Sequence, residues 1–200
     1  GCYAVMVGFG EAYFIADGGR LGATGLQLGL LVGLPLAVGG VAASLGLSLL
    51  RFAPRRRPVV AGLVLLQAML LLALAALEGA GASSPGLLLL AVSVYQAFGQ
   101  LAGALWSSWY GALVPAMVRG RFFSTRSRVV HLCTFLALIS GGLLLQHAEP
   151  GGGPASGGTG SGFLVVFLLA GLARLVSAAL LLASPEPHFA RPPAGGSVVR

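Results

Sequence analysis

Residues 86–110 read GLLLLAVSVYQAFGQLAGALWSSWY. This apolar run contains no charged residue, and it exceeds the roughly 20 residues that an α-helix needs to cross a hydrocarbon core about 30 Å thick. Five further apolar runs lie at about residues 2–16, 25–50, 59–77, 129–146 and 162–183. The sequence therefore predicts an all-α membrane protein, with one six-transmembrane-helix bundle over residues 1–183 and a flexible tail or linker at 184–200.

The overall composition agrees with this class. Hydrophobic residues make up 56% of the chain and charged residues 8%, whereas a soluble domain carries about 25% charged residues. The net charge of +7 could suggest nucleic-acid binding. However, all 12 basic residues are arginines, and most lie between the apolar runs rather than along one exposed face. We therefore expect membrane lipid, and no nucleic acid, as a partner.

The arginines also predict an orientation. The connections after the second and fourth runs contain eight of them and the tail two more, whereas the connections after the first, third and fifth runs contain only Arg20. Cytoplasmic loops carry the excess of basic residues, so we expect a multi-pass protein of the cell inner membrane with both termini cytoplasmic. The chain opens with Gly1-Cys2-Tyr3 inside an apolar run, without a methionine, which predicts that the first span is incomplete or that its cytoplasmic lead-in is missing.

Two ionisable residues lie inside the predicted spans, where a charge costs at least a few kcal/mol. Glu11 could line a cavity and bind a cation or carry a proton; alternatively, it forms a structural salt bridge or stays wet near the interface. Arg174 could contact an anion or balance the charge of Glu11. The alternative, which we favour, is that Arg174 has a structural role and clamps onto carbonyls or a polar neighbour.

The fourth run has a polar stripe. Gln96, Gln100, Gly103 and Ser107 follow a helical spacing that puts them on one face, where they bond a neighbouring helix or line a wet cavity. Tyr95 and Gln67 are further polar candidates. The pair Gly99 and Gly103 would allow a close helix approach, and the aromatic residues at positions 106, 109 and 110 are typical of an interfacial belt.

The motifs of common enzyme and metal sites are missing. The sequence contains no H-E-x-x-H, G-x-S-x-G, Walker A or C-x-x-C motif. Cys2 and Cys133 are best interpreted as small apolar packing residues, and the pair of His131 with Cys133 cannot close a zinc site by itself. We therefore expect no enzymatic activity, no cofactor and no metal.

The layout of six spans with basic second and fourth connections resembles one half of a major facilitator superfamily transporter. The sharper likeness is local: residues 109–115 (WYGALVP) and 119–128 (RGRFFSTRSR) are similar to the end of span 4 and the following connection in bacterial members. Residues 50–57 (LRFAPRRR) keep the arginines of the family's loop between spans 2 and 3 but neither its glycines nor its aspartate. The family's span-4 arginine is also absent, with Gln96 and Gln100 in that region. The resemblance therefore does not imply drug/proton antiport by the usual charge relay.

The resemblance implies two six-span halves with a substrate site between them near the midplane. This chain would be the N-terminal half of a 12-helix fold, and its partner would be a C-terminal half or a second copy. Spans 1 and 4 would line the cavity. Glu11, Tyr13 and the span-4 residues are therefore stronger candidates for the substrate site, and Arg174 is a weaker one. We expect the basic connections to form a cytoplasmic gate or to anchor the chain to anionic lipid through Arg55, Arg56, Arg57, Arg119, Arg121, Arg126 and Arg128.

These observations predict a secondary active transporter that moves a small-molecule substrate by alternating access, with proton coupling as one option. The candidate substrate- or ion-binding residues are Glu11, Tyr13, Tyr95, Gln96, Gln100 and Arg174. The alternative is a six-span scaffold or assembly protein that transports nothing; a polar central cavity would favour transport. An intramembrane enzyme would need a nucleophile–base pair or a metal cluster that the sequence does not display.

Overall fold

The computed structural model describes residues 1–49, 56–148 and 160–184, and all of its regular structure there is helical. An N-terminal segment comprises α1 (Cys2–Phe9), a 3₁₀ turn (Glu11–Tyr13) and α2 (Phe14–Arg20). Five long helices follow: α3 (Gly25–Leu49), α4 (Arg56–Gly79), α5 (Pro85–Leu113), α6 (Ala116–Ala148) and α7 (Ser161–Ala183).

Helices α3 to α7 are each long and apolar enough to cross a membrane. Their outward faces carry large apolar side chains such as Leu132, Phe135 and Leu180, which are exposed in the isolated chain and suit a lipid surrounding. The prediction of an all-helical, multi-pass membrane protein is thus confirmed at this level.

The N-terminal segment, predicted as the first span, is interrupted at Gly10. The Gly10 N–H still bonds to the Met6 carbonyl at 2.7 Å, but the following turn is 3₁₀ rather than α. Gly8 lies directly against α6, because a Cβ built there would stand 2.6 Å from the Ala137 Cβ. The segment therefore packs deep in the bundle, and the interruption sets the direction of Glu11.

Helix α6 begins earlier than the apolar pattern indicates. It starts at Ala116, one residue after Pro115, and so includes the arginine-rich stretch up to Arg128 that the sequence places between two spans. Arginine is a good helix former, and proline is absent between Met117 and Arg128. The basic side chains of this stretch are therefore arranged on a helix.

The core lies between the N-terminal segment, α4, α5 and α7. Its largest cluster of buried side chains includes Met6, Phe14, Leu71, Tyr95 and Phe167. A smaller cluster, with Val64 and Leu105 among its members, joins α4, α5 and α7 closer to the end of the bundle that contains Ser184.

Successive helices run in opposite directions, so their connections alternate between the two ends of the bundle. We call the end that contains Arg20, Glu78 and Gly160 the acidic end, and the end that contains Gly1 and Ser184 the basic end. At the acidic end, the short connection into α5 is capped by Ser84, whose Oγ accepts a hydrogen bond from the Leu87 N–H at 3.3 Å. Pro85 at the first turn suits this start, since its missing N–H has no helical partner to lose.

Candidate functional site

A cavity of about 990 Å³ occupies the half of the bundle nearest the basic end. Its walls come from the N-terminal segment, α4, α5, α6 and α7, and its lining extends to Gly1, Tyr110 and Ser184 at the helix ends. The cavity is therefore open toward the basic end. Its volume falls in the range of sites for small molecules, about 300–1,000 Å³.

Glu11 lines this cavity from the 3₁₀ turn. Its Oε1 accepts a hydrogen bond of 2.8 Å from the hydroxyl of Tyr95, a side chain that is fully buried. The same hydroxyl lies 2.6 Å from the Met6 sulfur. Tyr95 thus supports the acid from beneath and is not itself part of the cavity wall.

Arg174 also lines the cavity, but it is held by a neutral neighbour. Its Nε donates to Gln67 Oε1 at 2.9 Å and its Nη2 donates to the same oxygen. Gln67 in turn donates from Nε2 to the Tyr95 carbonyl at 3.0 Å, and the Arg174 guanidinium lies 5.2 Å from the centre of the Tyr3 ring. This arrangement matches the structural clamp onto a polar neighbour.

A chain of contacts therefore connects the two charged residues of the cavity. It runs from Glu11 to the Tyr95 hydroxyl, and from the Tyr95 carbonyl through Gln67 to Arg174. Ion pairs among the described residues are confined to Arg20 and its two acids, so Glu11 and Arg174 are not bonded to each other directly. The alternative in which Glu11 forms a salt bridge is not seen in the described part of the chain.

The polar stripe of α5 faces the same cavity. Gln96, Gln100, Gly103 and Ser107 all contribute to its lining. Gly99, one turn before Gly103, is tight instead: a Cβ there would collide with the Gln67 amide. The same stripe also meets α3, where Gly39 leaves room for the Gln100 side chain: a Cβ placed at Gly39 would stand 2.7 Å from the Gln100 Cγ.

Tyr13 is placed away from the cavity. It is buried against α6, where its ring fills the space beside Gly141, and its hydroxyl donates to the Leu138 carbonyl at 2.5 Å. Its observed contacts are those of a residue that joins the N-terminal segment to α6.

Of the arginines predicted as a gate or lipid anchor, Arg121 and Arg126 line the cavity. The Arg126 guanidinium lies 4.2 Å from the centre of the Trp106 ring, and Trp106 stacks on Tyr110 at 4.4 Å. Arg119 bonds back to the Val114 carbonyl, with 3.3 Å from Nε and 3.2 Å from Nη2. The others are Arg128, which is exposed; Arg57, which is half-buried; and Arg55 and the Arg56 side chain, which lie outside the described residues.

The aromatic residues at the end of α5 differ from a simple interfacial belt. Trp106 faces the cavity, while Trp109 is fully buried, and its indole N–H has no partner among the described residues. Sequence reasoning also did not find the contact of Arg126 with Trp106 or the bond of Arg174 to Gln67. These partners are 20 and 107 residues apart in the chain, so no helical spacing could reveal them.

The acidic end contains a second charged cluster that sequence reasoning did not assemble. Arg20 donates to Asp17 Oδ1 from Nε at 3.0 Å and from Nη2 at 2.6 Å, and Nη2 also donates to Glu78. All three side chains are at most 10% exposed, and the guanidinium lies 5.0 Å from the centre of the Phe163 ring. The cluster ties the N-terminal segment to α4 and contacts the start of α7.

Burial raises the pKa of Asp17 to about 6, from an ordinary value of 3.8. The hydrogen bond from Arg20 opposes this shift, and the negative charge of Glu78 adds to it. The second oxygen of Asp17, Oδ2, is buried without a partner among the described residues.

No group of three or more His, Cys, Asp or Glu residues that could hold a metal ion occurs in the described ranges. Comparison with protein-family models, curated proteins and solved structures gives no match to this chain.

Proposed function

We propose that this chain is one six-helix unit of a secondary active transporter of the major facilitator type, moving a small solute by alternating access. The observation that carries the proposal is the cavity, where Glu11 and the Gln96 and Gln100 face of α5 come together. A partly buried acid beside amide side chains, in a cavity that is open at one end of a membrane bundle, is typical of a path for a polar solute.

The pairing of the helices supports the same proposal. If the N-terminal segment counts as the first unit and α3 to α7 as the next five, extensive packing occurs between units 2 and 4, 1 and 5, 3 and 6, 3 and 4, and 1 and 6. Exchanging 1 with 4, 2 with 5 and 3 with 6 maps this set onto itself. Units three apart run in opposite directions, so the pattern is that of two inverted three-helix repeats, as in each half of a major facilitator transporter.

The exposure of part of the cavity wall favours the presence of a second six-helix unit. Gln100, Gly103 and Ser107 line the cavity and are also exposed in the isolated chain. In the proposed transporter, a second six-helix unit covers this face, supplied either by a C-terminal half or by a second copy. From the arginine distribution, we propose that the basic end and both termini lie on the cytoplasmic side of the inner membrane.

Alternating access can be tested without knowing the substrate. In a variant with Cys2→Ser and Cys133→Ser, the added change Gln96→Cys places one thiol in the cavity. A membrane-impermeant thiol reagent, applied separately to right-side-out and inside-out vesicles, should label it from both sides. The control Gly19→Cys, at an exposed position of the acidic end with open space around it, should be labelled from one side only.

Labelling of the cavity thiol from one side alone would favour the rival function, a six-span scaffold or assembly protein that does not alternate. Labelling from both sides without any solute flux would show that the cavity alternates but that transport has no support. One-sided labelling and the absence of flux therefore count against different parts of the proposal.

The coupling role of Glu11 has its own test. Proteoliposomes loaded with a pH-sensitive dye are exposed to a panel of small solutes, and transport with a proton appears as solute-dependent acidification. We expect Glu11→Gln to abolish the acidification while solute exchange continues, because the amide cannot carry the proton. The matched change Asp17→Asn also removes one carboxylate but lies outside the cavity, and it should leave the acidification intact. Unchanged acidification in Glu11→Gln would rule out the coupling role.

A further inference from the structure

The charges that line the cavity do not balance. Arg121, Arg126 and Arg174 line it, whereas Glu11 is the one acid among the described residues of its lining. Ion pairs between described residues occur only at Arg20, in the acidic end. The described lining therefore has an excess of two positive charges when Glu11 is ionised and three when it is protonated.

Arg126 is positioned to use its charge on a ligand. Its guanidinium lies over the Trp106 ring at 4.2 Å, and Trp106 is itself backed by Tyr110. Stacking of this kind occupies the flat face of the guanidinium and leaves its edge, with N–H groups in one plane, for a carboxylate or phosphate. The stack also fixes the side chain, so less rotamer freedom is lost when an anion binds.

Arg174 adds positive charge at the deeper part of the cavity. Gln67 accepts its hydrogen bonds and the Tyr3 ring lies 5.2 Å from its guanidinium, and neither group neutralises its charge. The side chain is only 4% exposed, and a charge in such a low-dielectric wall acts more strongly on a ligand than one in water. A cation in this cavity would meet net repulsion, and an anion net attraction.

The rest of the wall predicts an organic body for the anion. Apolar side chains of α4 and α7 also line the cavity, among them Val60, Val64, Leu180 and Leu181. Such a lining gains free energy by excluding water from an apolar ligand, about 25 cal/mol per Å² of buried apolar surface. The amides of Gln96 and Gln100 offer hydrogen bonds that orient it.

We infer that the cavity binds a small organic anion, with its carboxylate or phosphate on the edge of the Arg126 guanidinium and its apolar part against α4 and α7. That this ligand is the transported solute rests on the proposed function; the binding itself does not. An anionic lipid headgroup has the same chemistry, and the experiment below separates the two sources.

The test is calorimetric titration of the purified protein in phosphatidylcholine nanodiscs, with empty nanodiscs as the blank. The probes are benzoate, phenylacetate and 3-phenylpropionate, each beside the primary amide and the primary amine of the same length. We expect at least one acid to bind about tenfold more tightly than its amide, because hydrogen bonds to a charged group are stronger than those to a neutral one. The amines should bind most weakly.

Two variants assign the charge. Arg126→Gln should weaken binding of the acid about tenfold while leaving the amide almost unchanged, and Arg126→Lys, which retains the charge without the planar edge, should keep part of the preference. Acids that bind no better than their amides in every pair would overturn the inference, as would a preference for amines. An acid affinity that does not change in Arg126→Gln would also overturn it.

A repeat in nanodiscs that contain phosphatidylglycerol identifies the source of the anion. Loss of acid binding there, in an Arg126-dependent way, would show that lipid headgroups occupy the site, and the inference of a soluble ligand would fail. Retained binding supports it. Because no step of this experiment requires transport, anion binding can hold when the alternating-access labelling fails, and the reverse.

Discussion

The two ends of this bundle use buried arginine in opposite ways. At the acidic end, Arg20 is shared by two buried acids, and the surrounding helices close over it. Toward the basic end, Arg174 is bonded to a neutral amide, and the helices separate around a cavity of about 990 Å³. A guanidinium that is paired with acids fastens helices together, whereas one bonded to a neutral amide keeps an unbalanced charge, on which the proposed anion site depends.

The largest expected effect comes from breaking the acidic cluster. Arg20→Gln leaves Asp17 and Glu78 buried without their cation, and removing one partner of a buried ion pair costs about 3–5 kcal/mol. We expect this loss in the free energy of unfolding, measured in mixed detergent micelles. The control at the other end is Arg126→Gln, which removes a cation–π contact worth about 1 kcal/mol. Equal losses in the two variants would contradict the difference between the ends.

The next effect concerns the clamp beneath the cavity. In Gly99→Ala, the new methyl group would occupy the position of the Gln67 amide, which is bonded to the Tyr95 carbonyl and to Arg174. We expect a loss of about 1–3 kcal/mol, the cost of leaving buried polar groups unsatisfied. Gly103→Ala, on the same helix with open space around its Cβ position, is the matched control and should be neutral. A similar loss in both variants would show that helix α5 itself, and not the clamp, responds.

A pH titration sharpens the comparison at the acidic end. The pKa of Asp17 is raised to about 6 in the folded protein, so the folded state holds this proton more tightly than the unfolded state, whose pKa is near 3.9. Its contribution is therefore fully present below about pH 4 and is lost as the pH rises through about 6. Lowering the pH from 7 to 5 should stabilise the wild-type protein relative to Asp17→Asn by on the order of 1 kcal/mol.

Other acids and histidines titrate in both proteins, so the quantity to measure is the difference between the two unfolding curves at each pH. A difference that stays constant between pH 5 and 7 would show that Asp17 does not change its protonation in this window.

The smallest effect is expected at an exposed arginine of the basic end. Arg119 is exposed, and it donates hydrogen bonds to the Val114 carbonyl from Nε at 3.3 Å and from Nη2 at 3.2 Å. Arg119→Gln should change the free energy of unfolding by no more than about 0.5 kcal/mol. A loss as large as that of Arg20→Gln would mean that burial does not decide what an arginine contributes here.

Much of the fold could be predicted because hydropathy is local. The apolar runs at 25–50, 59–77, 86–110 and 162–183 overlap α3, α4, α5 and α7 as the structure has them. The stripe of α5 could also be predicted, since Gln96 and Gln100 are one helical turn apart and must share a face. The structure places that face in the cavity.

Other features required the packing of distant segments. The close approach of Gly8 to α6 and the interruption at Gly10 could not be predicted from the residues next to them in the chain. Tyr13 is two residues after Glu11, and side chains two apart on a helix do not share a face. Only the packing against α6 decided that Tyr13 contacts Leu138 and Gly141 there. Trp109 is three residues after Trp106 and is buried, while Trp106 faces the cavity.

The sequence by itself determined the class of this protein: a helical, multi-pass membrane protein, whose apolar helices must satisfy their backbone hydrogen bonds internally in lipid. It also determined which residues are costly in that setting, Glu11 and Arg174. Only the tertiary structure decided what each of them faces. The partner of Arg174 is 107 residues away, and the partner of Glu11 is Tyr95 on another helix. The energy of a charge depends on the groups within a few ångströms in space, and the order of residues in the chain does not specify those groups.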